Sequence, residues 1–311
     1  MDIEGKKILV TGAHGFLGKP LLELLENEKP AQIIAPRSVE YDLTKEEDVK
    51  KLFSKTKPDI VIHAAGRVGG IEYNRNNPGT AYYENAMMGT LMVHYSHLAG
   101  VKKFVGIGSV CAYPKIVPVP TSEEHLWDGY PEETNGPYGI AKKMMLVQID
   151  AYRKQYGFNG VYLLQVNLYG PHDHFNEKDS HVIGAMIYKF AKAKKNNEKE
   201  VVLWGDGSPT REFLYVEDAA RAIVLATKKM ETSEPINIGS GEEVSIKELA
   251  QIISAEIGYA GKIIWDKTKP NGQPRRLFDS SRAKKMIGFE AKTKFAQGIR
   301  KTVEWYLKDK V

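Results

Sequence analysis

The sequence has a single cysteine, Cys111, among its 311 residues. One thiol excludes an intrachain disulfide and any cysteine cluster that would hold zinc or an iron–sulfur centre. We therefore expect a protein that folds without covalent crosslinks in a reducing, cytoplasmic compartment and that has no metal site. Cys111 has to be explained as a free thiol.

Long apolar runs and blocks of like charge are also missing. The N-terminal residues MDIEGKKILVTG lack an apolar stretch of signal-peptide length, and no run approaches the roughly 20 apolar residues that cross a bilayer. The net charge is only +5, and basic residues are interspersed with acidic ones, as in KKNNEKE. We expect no membrane span and no nucleic-acid partner, while a local basic site for a phosphorylated ligand stays open.

The first two-thirds of the chain alternate short β-branched runs with helical patterns. The runs KILVT, AQIIA, DIVIHAA and KKFVGIGS are each followed by a longer segment with helical character. This order predicts a Rossmann-type, doubly wound parallel α/β sheet. We expect a dinucleotide-binding domain over residues 1–166 plus roughly 212–240, and a smaller α/β substrate-binding domain over 167–211 and 241–311. In the latter, NLYGPHDHFNEKD predicts a loop, with Ser180 as N-cap of the helix that follows.

A glycine-rich turn, TGAHGFLG, lies between the first strand and the first helix. Such a turn brings backbone N–H groups and a helix N-terminus against a pyrophosphate, so it predicts a dinucleotide site. The segment HAAG follows another apolar strand, where small residues let a cofactor cross the strand end. The residues expected to bind the cofactor here are Gly12, His14, Gly15, Phe16, Gly18, Ala64 and Ala65.

The choice between NAD and NADP depends on the end of the second strand, in IIAPRSVEYDL. An acid there binds the ribose 2′-hydroxyl, whereas a basic residue accommodates a 2′-phosphate. Arg37 occupies this region, and no acid appears before Glu40. We therefore expect NADP(H), with Asp42 at the adenine edge.

A candidate catalytic group combines Tyr138 and Lys142, in PYGIAKK, with Ser109 at the end of the preceding strand. Residues four apart share a helix face, and a nearby ammonium favours the phenolate, which lowers the pKa of the tyrosine. Tyr138 then becomes an acid/base near neutral pH, and Ser109 hydrogen-bonds the same substrate oxygen. Together with the glycine turn, this group resembles the extended short-chain dehydrogenase/reductases, in which such a triad moves a hydride between a nicotinamide and a sugar carbon.

Further motifs resemble the GDP-L-fucose synthase family, which epimerises and then reduces GDP-4-keto-6-deoxy-mannose. They are VGGI, the GSVCAYP stretch around Cys111, NLYGPHDHF, SHVI and VVLWGDGSPTREFLYVEDAA. The resemblance implies that Cys111 and His181 act as base and acid, removing and returning the acidic protons on C3 and C5. It also implies a site for a GDP-sugar that includes Asn167, Lys189, Trp204, Arg211 and Arg276.

Some positions depart from that family. Where its members have a second serine, alanine, proline and arginine, this chain has Val110, Gly139, Gly184 and Lys189, and His14 is unusual in the glycine turn. The changes at 184 and 189 border the expected substrate site. They bear on the identity of the sugar more than on the chemistry.

Three other functions stay open at this stage. The first is an NAD-dependent nucleotide-sugar 4-epimerase or dehydratase, which does not need Cys111 and His181. The second is a reductase or 3,5-epimerase of a related GDP-keto sugar, and the third is a non-catalytic nucleotide sensor on the same fold. The segments AYYENAMMGTLMVHYSHLAG and MMLVQIDAY carry more apolar residues than one sheet face covers, so we also expect a homodimer through a four-helix contact.

Overall fold

The computed structural model describes residues 1–176, 180–269 and 271–310. Within them the strands, in chain order, are β1 (Lys7–Thr11), β2 (Gln32–Ile34), β3 (Ile60–His63), β4 (Lys103–Ser109), β5 (Gly160–Gln165), β6 (Asn167–Tyr169), β7 (Glu200–Trp204), β8 (Thr210–Tyr215), β9 (Ile236–Ile238), β10 (Glu243–Ser245), β11 (Lys262–Asp266) and β12 (Arg275–Arg276). The helices are α1 (Gly18–Glu26), α2 (Glu46–Thr56), α3 (Ile71–Asn76), α4 (Pro78–Leu98), α5 (Gly136–Tyr156), α6 (Val182–Lys195), α7 (Val216–Lys229), α8 (Ile246–Ile257), α9 (Ser281–Ile287) and α10 (Phe295–Asp309). Two short 3-10 helices cover Val110–Ala112 and Glu123–Trp127.

The central sheet has the strand order β2-β1-β3-β4-β5-β9, and every pairing in it is parallel. Its inner strands β3 and β5 are buried along their whole length, because helices cover both faces of a sheet of this kind. Helices α4 and α5 pack along each other, and so do α1 and α7. The predicted doubly wound parallel α/β sheet is confirmed. Its topological switch lies between β1 and β3, where ligands bind in such folds.

A second sheet contains β10, β8 and β12, with β6 paired to β8, and a third joins β7 to β11. A separate apolar cluster packs around them, built from α6, α8 and α10. The sequence predicts a loop from residue 167, but Asn167–Tyr169 forms β6 because its backbone pairs with β8. Residues 177–179 of that loop prediction lie outside the described residues.

The predicted cap of α6 is displaced by one residue. The helix begins at Val182 with His181 as its N-cap, whereas the Ser180 hydroxyl accepts a hydrogen bond from the backbone N–H of Asn176 at 2.7 Å. His181 therefore lies at the entrance of the helix. No helix among the described residues is long and apolar enough to span a membrane.

Candidate functional site

The glycine turn between β1 and α1 is packed too tightly for side chains. Gly12 has a φ of +74°, and a Cβ there would lie 2.7 Å from the backbone N of Ala65. A Cβ on Gly18 would lie 2.2 Å from the carbonyl oxygen of Gly12. The turn therefore rests against the end of β3 and presents the N-terminus of α1 at the carboxyl edge of the sheet. This cradle fits a dinucleotide pyrophosphate.

The neighbours of the turn have defined partners. The ring of His14 bonds through Nε2 to the Ala35 carbonyl oxygen at 2.9 Å, which ties the turn to the end of β2. Gly15 closes the turn through its N–H, which donates to Gly12 O at 3.0 Å. Phe16 is half-buried and Ala64 is packed against the core beside β3. The predicted cofactor-binding residues of this segment thus line one edge of the sheet.

Arg37 and Asp42 lie beyond β2 in different surroundings. Arg37 is exposed, and its backbone N–H donates to the Glu40 carboxylate at 2.8 Å. Asp42 accepts from the hydroxyl and the N–H of Thr44 at 2.7 and 3.0 Å, and these bonds lower the pKa of its carboxyl. Asp42 is therefore fixed by its own turn, whereas the Arg37 side chain faces solvent.

His63 at the end of β3 is a satisfied core residue. Its Nδ1 lies 2.7 Å from the hydroxyl oxygen of Thr11, and burial together with the charge of Lys142 lowers its pKa to about 3. An imidazole with so low a pKa stays neutral at physiological pH. Its structural role is to join β1 and β3 below the cofactor cradle.

Ser109, Tyr138 and Lys142 converge where β4 ends against the first turns of α5. The Lys142 Nζ lies 6.0 Å from the Tyr138 ring centroid and donates to the Ile107 carbonyl oxygen at 3.1 Å. A Cβ on Gly66 would lie 3.2 Å from the same Nζ, so the ammonium also reaches the loop after β3. The predicted triad is thus assembled beside the strand ends that carry the cofactor cradle.

Burial sets the electrostatics of this group. Burial raises the pKa of the Tyr138 phenol, the charge of Cys111 adds to the increase, and a hydrogen bond with Ser109 opposes it. Burial lowers the pKa of Lys142 to about 8. The predicted lowering of the phenol pKa is wrong, because burial raises that pKa and the Lys142 ammonium is directed to the Ile107 carbonyl oxygen.

Cys111 lies in the short 3-10 helix directly after β4. Its backbone N–H donates to the Ser109 Oγ at 3.2 Å, so one hydroxyl joins the thiol to the triad. Burial raises the pKa of the thiol, the Ser109 hydroxyl and the charge of Arg276 lower it, and Glu132 raises it. The net direction is upward, so in this structure the Ser109 hydroxyl and the charge of Arg276 offset the effect of burial only in part.

The helix that carries Tyr138 approaches Cys111 unusually closely. A Cβ on Gly139 would lie 2.4 Å from the Cys111 carbonyl oxygen. The glycine that departs from the family pattern thus lets α5 contact the backbone that carries the thiol. Sequence reasoning had no signal for this contact, because it joins two segments through space.

Two arginines stand side by side near the thiol. Arg211 on β8 and Arg276 on β12 are register partners, and each is partly buried. Arg211 donates to the Thr210 carbonyl oxygen and Arg276 to the Gln273 amide oxygen, and within the described residues neither forms an ion pair with a carboxylate. Burial and the charge of Arg276 lower the pKa of Arg211 to about 10. Adjacent cations of this kind favour an anionic ligand.

The other predicted substrate residues lie on separate elements around this cluster. Asn167 on β6 donates to the Glu212 carbonyl oxygen at 3.0 Å. Lys189 is half-buried on α6, and Trp204 is 58% exposed at the end of β7, with the Lys269 ammonium 5.9 Å from its ring centroid. The Asn167 amide is thus held by the backbone of β8, whereas the Trp204 side chain is largely exposed.

His181 lies at the entrance of α6. Its Nδ1 is 3.9 Å from the Asp173 carboxylate, an ion-pair distance that is too long for a hydrogen bond. Burial lowers the pKa of the imidazole, but the interaction with Asp173 raises it further, so the net direction is upward. Asp173 is a residue that sequence reasoning missed, although its charge within NLYGPHDHF was a visible signal. Among the described residues, no group of three or more His, Cys, Asp or Glu side chains is arranged to hold a metal ion.

Comparison with known proteins identifies the family. Residues 8–239 match the model of the NAD dependent epimerase/dehydratase family. GDP-L-fucose synthase 1 of Arabidopsis thaliana is 40% identical over 99% of this chain and 95% of that protein. GDP-L-fucose synthase of Sinorhizobium fredii is 41% identical over 98% of this chain and 96% of that protein.

Solved structures agree along the whole chain. A GDP-L-fucose synthetase from Naegleria fowleri bound to NADP superposes with a TM-score of 0.90 at 29% identity, covering 98% of this chain and 95% of that one. A GDP-6-OMe-4-keto-L-xylo-heptose reductase from C. jejuni superposes with a TM-score of 0.92 at 28% identity, covering 99% of each chain. The resemblance inferred from the motifs is confirmed, and the chain belongs to the NAD dependent epimerase/dehydratase family, with relatives named GDP-L-fucose synthase along nearly its full length.

Proposed function

We propose that this protein is an NADPH-dependent epimerase and reductase of a GDP-4-keto-6-deoxy-hexose, with GDP-4-keto-6-deoxy-mannose as its substrate. The observation that carries the proposal is the position of Cys111, whose backbone N–H donates to Ser109 of the hydride-transfer triad and whose thiol is influenced by the charge of Arg276. A plain ketoreductase needs only the triad. The thiol adds a base beside it, which matches the two-stage reaction implied by the relatives named GDP-L-fucose synthase.

The epimerisation stage uses Cys111 and His181. The C3 and C5 protons of a 4-keto sugar are acidic because each carbon adjoins the carbonyl or its enolised form. Removal of the proton on one face of the carbon and return of a proton on the other face inverts that centre. The charge of Arg276 opposes the effect of burial on the Cys111 thiol, and the thiolate form accepts the proton. His181, held in its charged form by Asp173, donates a proton from the other side.

The reduction stage uses Ser109, Tyr138 and Lys142. NADPH, when bound over the glycine cradle, supplies the hydride that reduces C4. Tyr138 gives its phenolic proton to the developing alkoxide, and its buried position keeps that proton in place until then. Ser109 polarises the carbonyl, while Lys142 stabilises the phenolate that remains and reaches toward the cofactor ribose.

The nucleotide half of the substrate is proposed to lie on the second sheet. Arg211 and Arg276 offer adjacent guanidinium groups for the diphosphate. Trp204 and Lys189 contact the rest of the nucleotide, and Asn167 orients the sugar. We propose the division of the chain expected from the sequence, with residues 1–166 and roughly 212–240 binding the cofactor and residues 167–211 and 241–311 binding the substrate.

The proposal is tested by incubating the protein with GDP-4-keto-6-deoxy-mannose in deuterated water, with and without NADPH. We expect deuterium at C3 and C5 without NADPH, and NADPH oxidation at 340 nm once it is added. NADPH oxidation with no deuterium in the sugar identifies a plain ketoreductase. No reaction in either arm means that the substrate is a different sugar.

The cofactor preference gives a separate prediction. Arg37 is exposed beyond β2. In the described part of the chain, the Glu40 carboxylate bonds the backbone N–H of Arg37 and forms no ion pair with its guanidinium, so the guanidinium is free for a 2′-phosphate. We expect Arg37→Ala to raise KM for NADPH about tenfold, as befits loss of one charge-assisted contact, and to leave KM for NADH unchanged. Arg300→Ala, an exposed arginine on α10, is the matched control. An equal change of KM for both cofactors would contradict the assignment.

A second candidate function is reduction of a related GDP-keto sugar. It is favoured by the superposition on the C. jejuni heptose reductase and by Gly184, which stands near His181 where the family resemblance implies proline. An assay of the same protein with GDP-4-keto heptoses distinguishes the candidates. A higher kcat/KM for a heptose than for the deoxyhexose would support the second.

We also propose that the protein is a homodimer that works in the cytoplasm, where its single cysteine stays reduced. Helices α4 and α5 pack along each other and expose Tyr83, Met144 and Val147, at 58%, 37% and 52%. Beside them lies an open groove of about 470 Å³ lined by Trp127. A second copy packed on this surface buries the apolar face of α5.

The dimer predicts a clear effect of charge on that face. Light scattering is expected to give twice the chain mass for the wild type and a single-chain mass for Val147→Glu, because an unpaired carboxylate in an apolar interface costs several kcal/mol. Val202→Glu on β7 places the same charge on an equally exposed valine, 51% against 52%, and is expected to stay dimeric. A single-chain mass for the wild type would contradict the proposal.

A further inference from the structure

The segment from His172 to Phe175, named here the strap, connects the cofactor half of the chain to its C-terminal helix. His172 has a φ of +69°, and its Nδ1 lies 3.1 Å from the Nζ of Lys19 on α1. The ring centroids of His172 and Trp305 are 4.7 Å apart, and the Phe175 ring packs at a tilt against Tyr306 with centroids 4.8 Å apart. A positive φ at a non-glycine residue costs conformational free energy. The contacts of the strap with Lys19, Trp305 and Tyr306 offset that cost and hold the strap in one conformation.

The strap lies directly on the first turn of α6. The carbonyl oxygen of His174 would be 2.2 Å from a Cβ on Gly184, so the glycine supplies the space that this oxygen occupies. The contact places Asp173, the preceding residue of the strap, at the entrance of α6. His181 is the N-cap at that same entrance.

The carboxylate of Asp173 and the ring of His181 lie close together at this entrance. The Asp173 side chain is 3% exposed, and its Oδ1 accepts a hydrogen bond from the N–H of His174 at 2.8 Å. The Nδ1 of His181 is buried and has no hydrogen-bond partner within the described residues, yet it lies 3.9 Å from that same Oδ1. Buried ionic groups require a partner, and among the described residues Asp173 and His181 lie within ion-pair distance of each other.

We propose that Asp173 is a positioning residue for His181, and that its carboxylate fixes the imidazole through Nδ1 and keeps the ring protonated for proton transfer from Nε2. The proposal rests on the proposed function only for the use of that proton. The side chain of His181 is 39% exposed although Nδ1 is buried, so another edge of the ring is open to a ligand.

The electrostatic need for Asp173 follows from the position of His181. A helix N-terminus carries positive potential and opposes an imidazolium, and burial opposes it as well. Asp173 is the charge that raises the pKa of His181 against burial among the described residues. In the transfer, the Nε2–H bond breaks, a C–H bond forms with the electron pair of the enolate, and neutral His181 keeps its proton on Nδ1 toward Asp173.

The test has one arm that needs no substrate. Long-range proton–nitrogen NMR spectra of histidine-labelled protein follow the titration of His181, whose signal is assigned by its loss in His181→Gln. We expect Asp173→Asn to move that titration about one pH unit lower and to weaken the preference for a proton on Nδ1. Asp173→Glu is expected to restore most of the titration pH of His181 and most of the preference for a proton on Nδ1. The isosteric amide still accepts from the N–H of His174, so the strap keeps its anchor.

The second arm measures deuterium incorporation from the keto sugar across pH. We expect Asp173→Asn to lower the rate about tenfold and to move the pH breakpoint assigned to His181 by NMR in the same direction as the titration. Asp218→Asn is the matched control, because that buried carboxylate bonds Arg221 and the N–H of Thr293 instead. The Asp218→Asn variant is expected to lower stability without changing the His181 titration or the rate and pH dependence of deuterium incorporation.

The two arms separate the pairing of Asp173 with His181 from the proposed epimerisation. An unchanged His181 titration in Asp173→Asn overturns the pairing, whatever the sugar. A shifted titration in a protein that exchanges no deuterium supports the pairing and contradicts the proposed epimerisation. A tenfold loss of exchange with an unshifted titration means that Asp173 acts only on the fold, and the proposal is then wrong.

Discussion

Cys111→Ser is expected to lower deuterium incorporation at C3 and C5 by about 10² to 10⁴, the range that a positioned general base contributes. A serine hydroxyl matches the thiol closely in shape, but it does not ionise near neutral pH. The charge of Arg276, which favours a thiolate, then has no group to act on. Reduction of a sugar that is already epimerised is expected to continue, because Ser109, Tyr138 and Lys142 are unchanged.

The measurement is mass spectrometry of the sugar after incubation in deuterated water without NADPH. Cys111→Ala provides the control, since it also lacks an ionisable group and must behave as the serine variant does. Thermal unfolding of both variants checks that the fold is intact. Exchange within threefold of wild type in either variant would mean that the thiol serves only packing, as partly buried cysteines often do.

Tyr138→Phe is expected to lower the rate of NADPH oxidation by about 10² to 10⁴ while deuterium still enters at C3 and C5. The phenol supplies the proton that neutralises the alkoxide at C4, and phenylalanine keeps the ring in its buried position without that proton. Exchange continues because it depends on Cys111 and His181. The two variants therefore block the two stages separately.

Stopped-flow absorbance at 340 nm measures the hydride step, and mass spectrometry of the same samples measures exchange. Tyr169→Phe is the matched control, because it removes another buried phenol, whose hydroxyl donates to the Phe295 carbonyl oxygen at 3.2 Å. It is expected to cost about 1 kcal/mol of stability and to leave the hydride rate near that of wild type. Equal loss of hydride transfer and exchange in Tyr138→Phe would contradict the separation of roles.

Local patterns in the sequence were sufficient to predict the sheet, the glycine turn and the helix that carry the candidate site. Alternation of apolar strands and amphipathic helices predicts the parallel sheet, because each element must bury its apolar side against the next. The glycines of the TGAHGFLG turn follow from backbone geometry, as the φ of +74° at Gly12 shows. Tyr138 and Lys142 share a face of α5 because a helix repeats nearly every four residues.

Only the tertiary structure decided the contacts between distant segments. Arg276 lies beside Cys111 because β12 pairs with β8, and Gly139 lets α5 touch the Cys111 carbonyl. The spacing of Tyr138 and Lys142 predicts a lowered phenol pKa, but burial raises it and the ammonium bonds Ile107 O instead.

The pairing of Asp173 with His181 likewise depends on a strap held by Lys19 and Trp305, which are remote in sequence. By itself, the sequence determined which elements form and which chemical groups they carry, because spacing along one element fixes its geometry. The charge state and partner of each group were decided by the fold, because burial and the nearest charges come from residues that meet only when the chain packs.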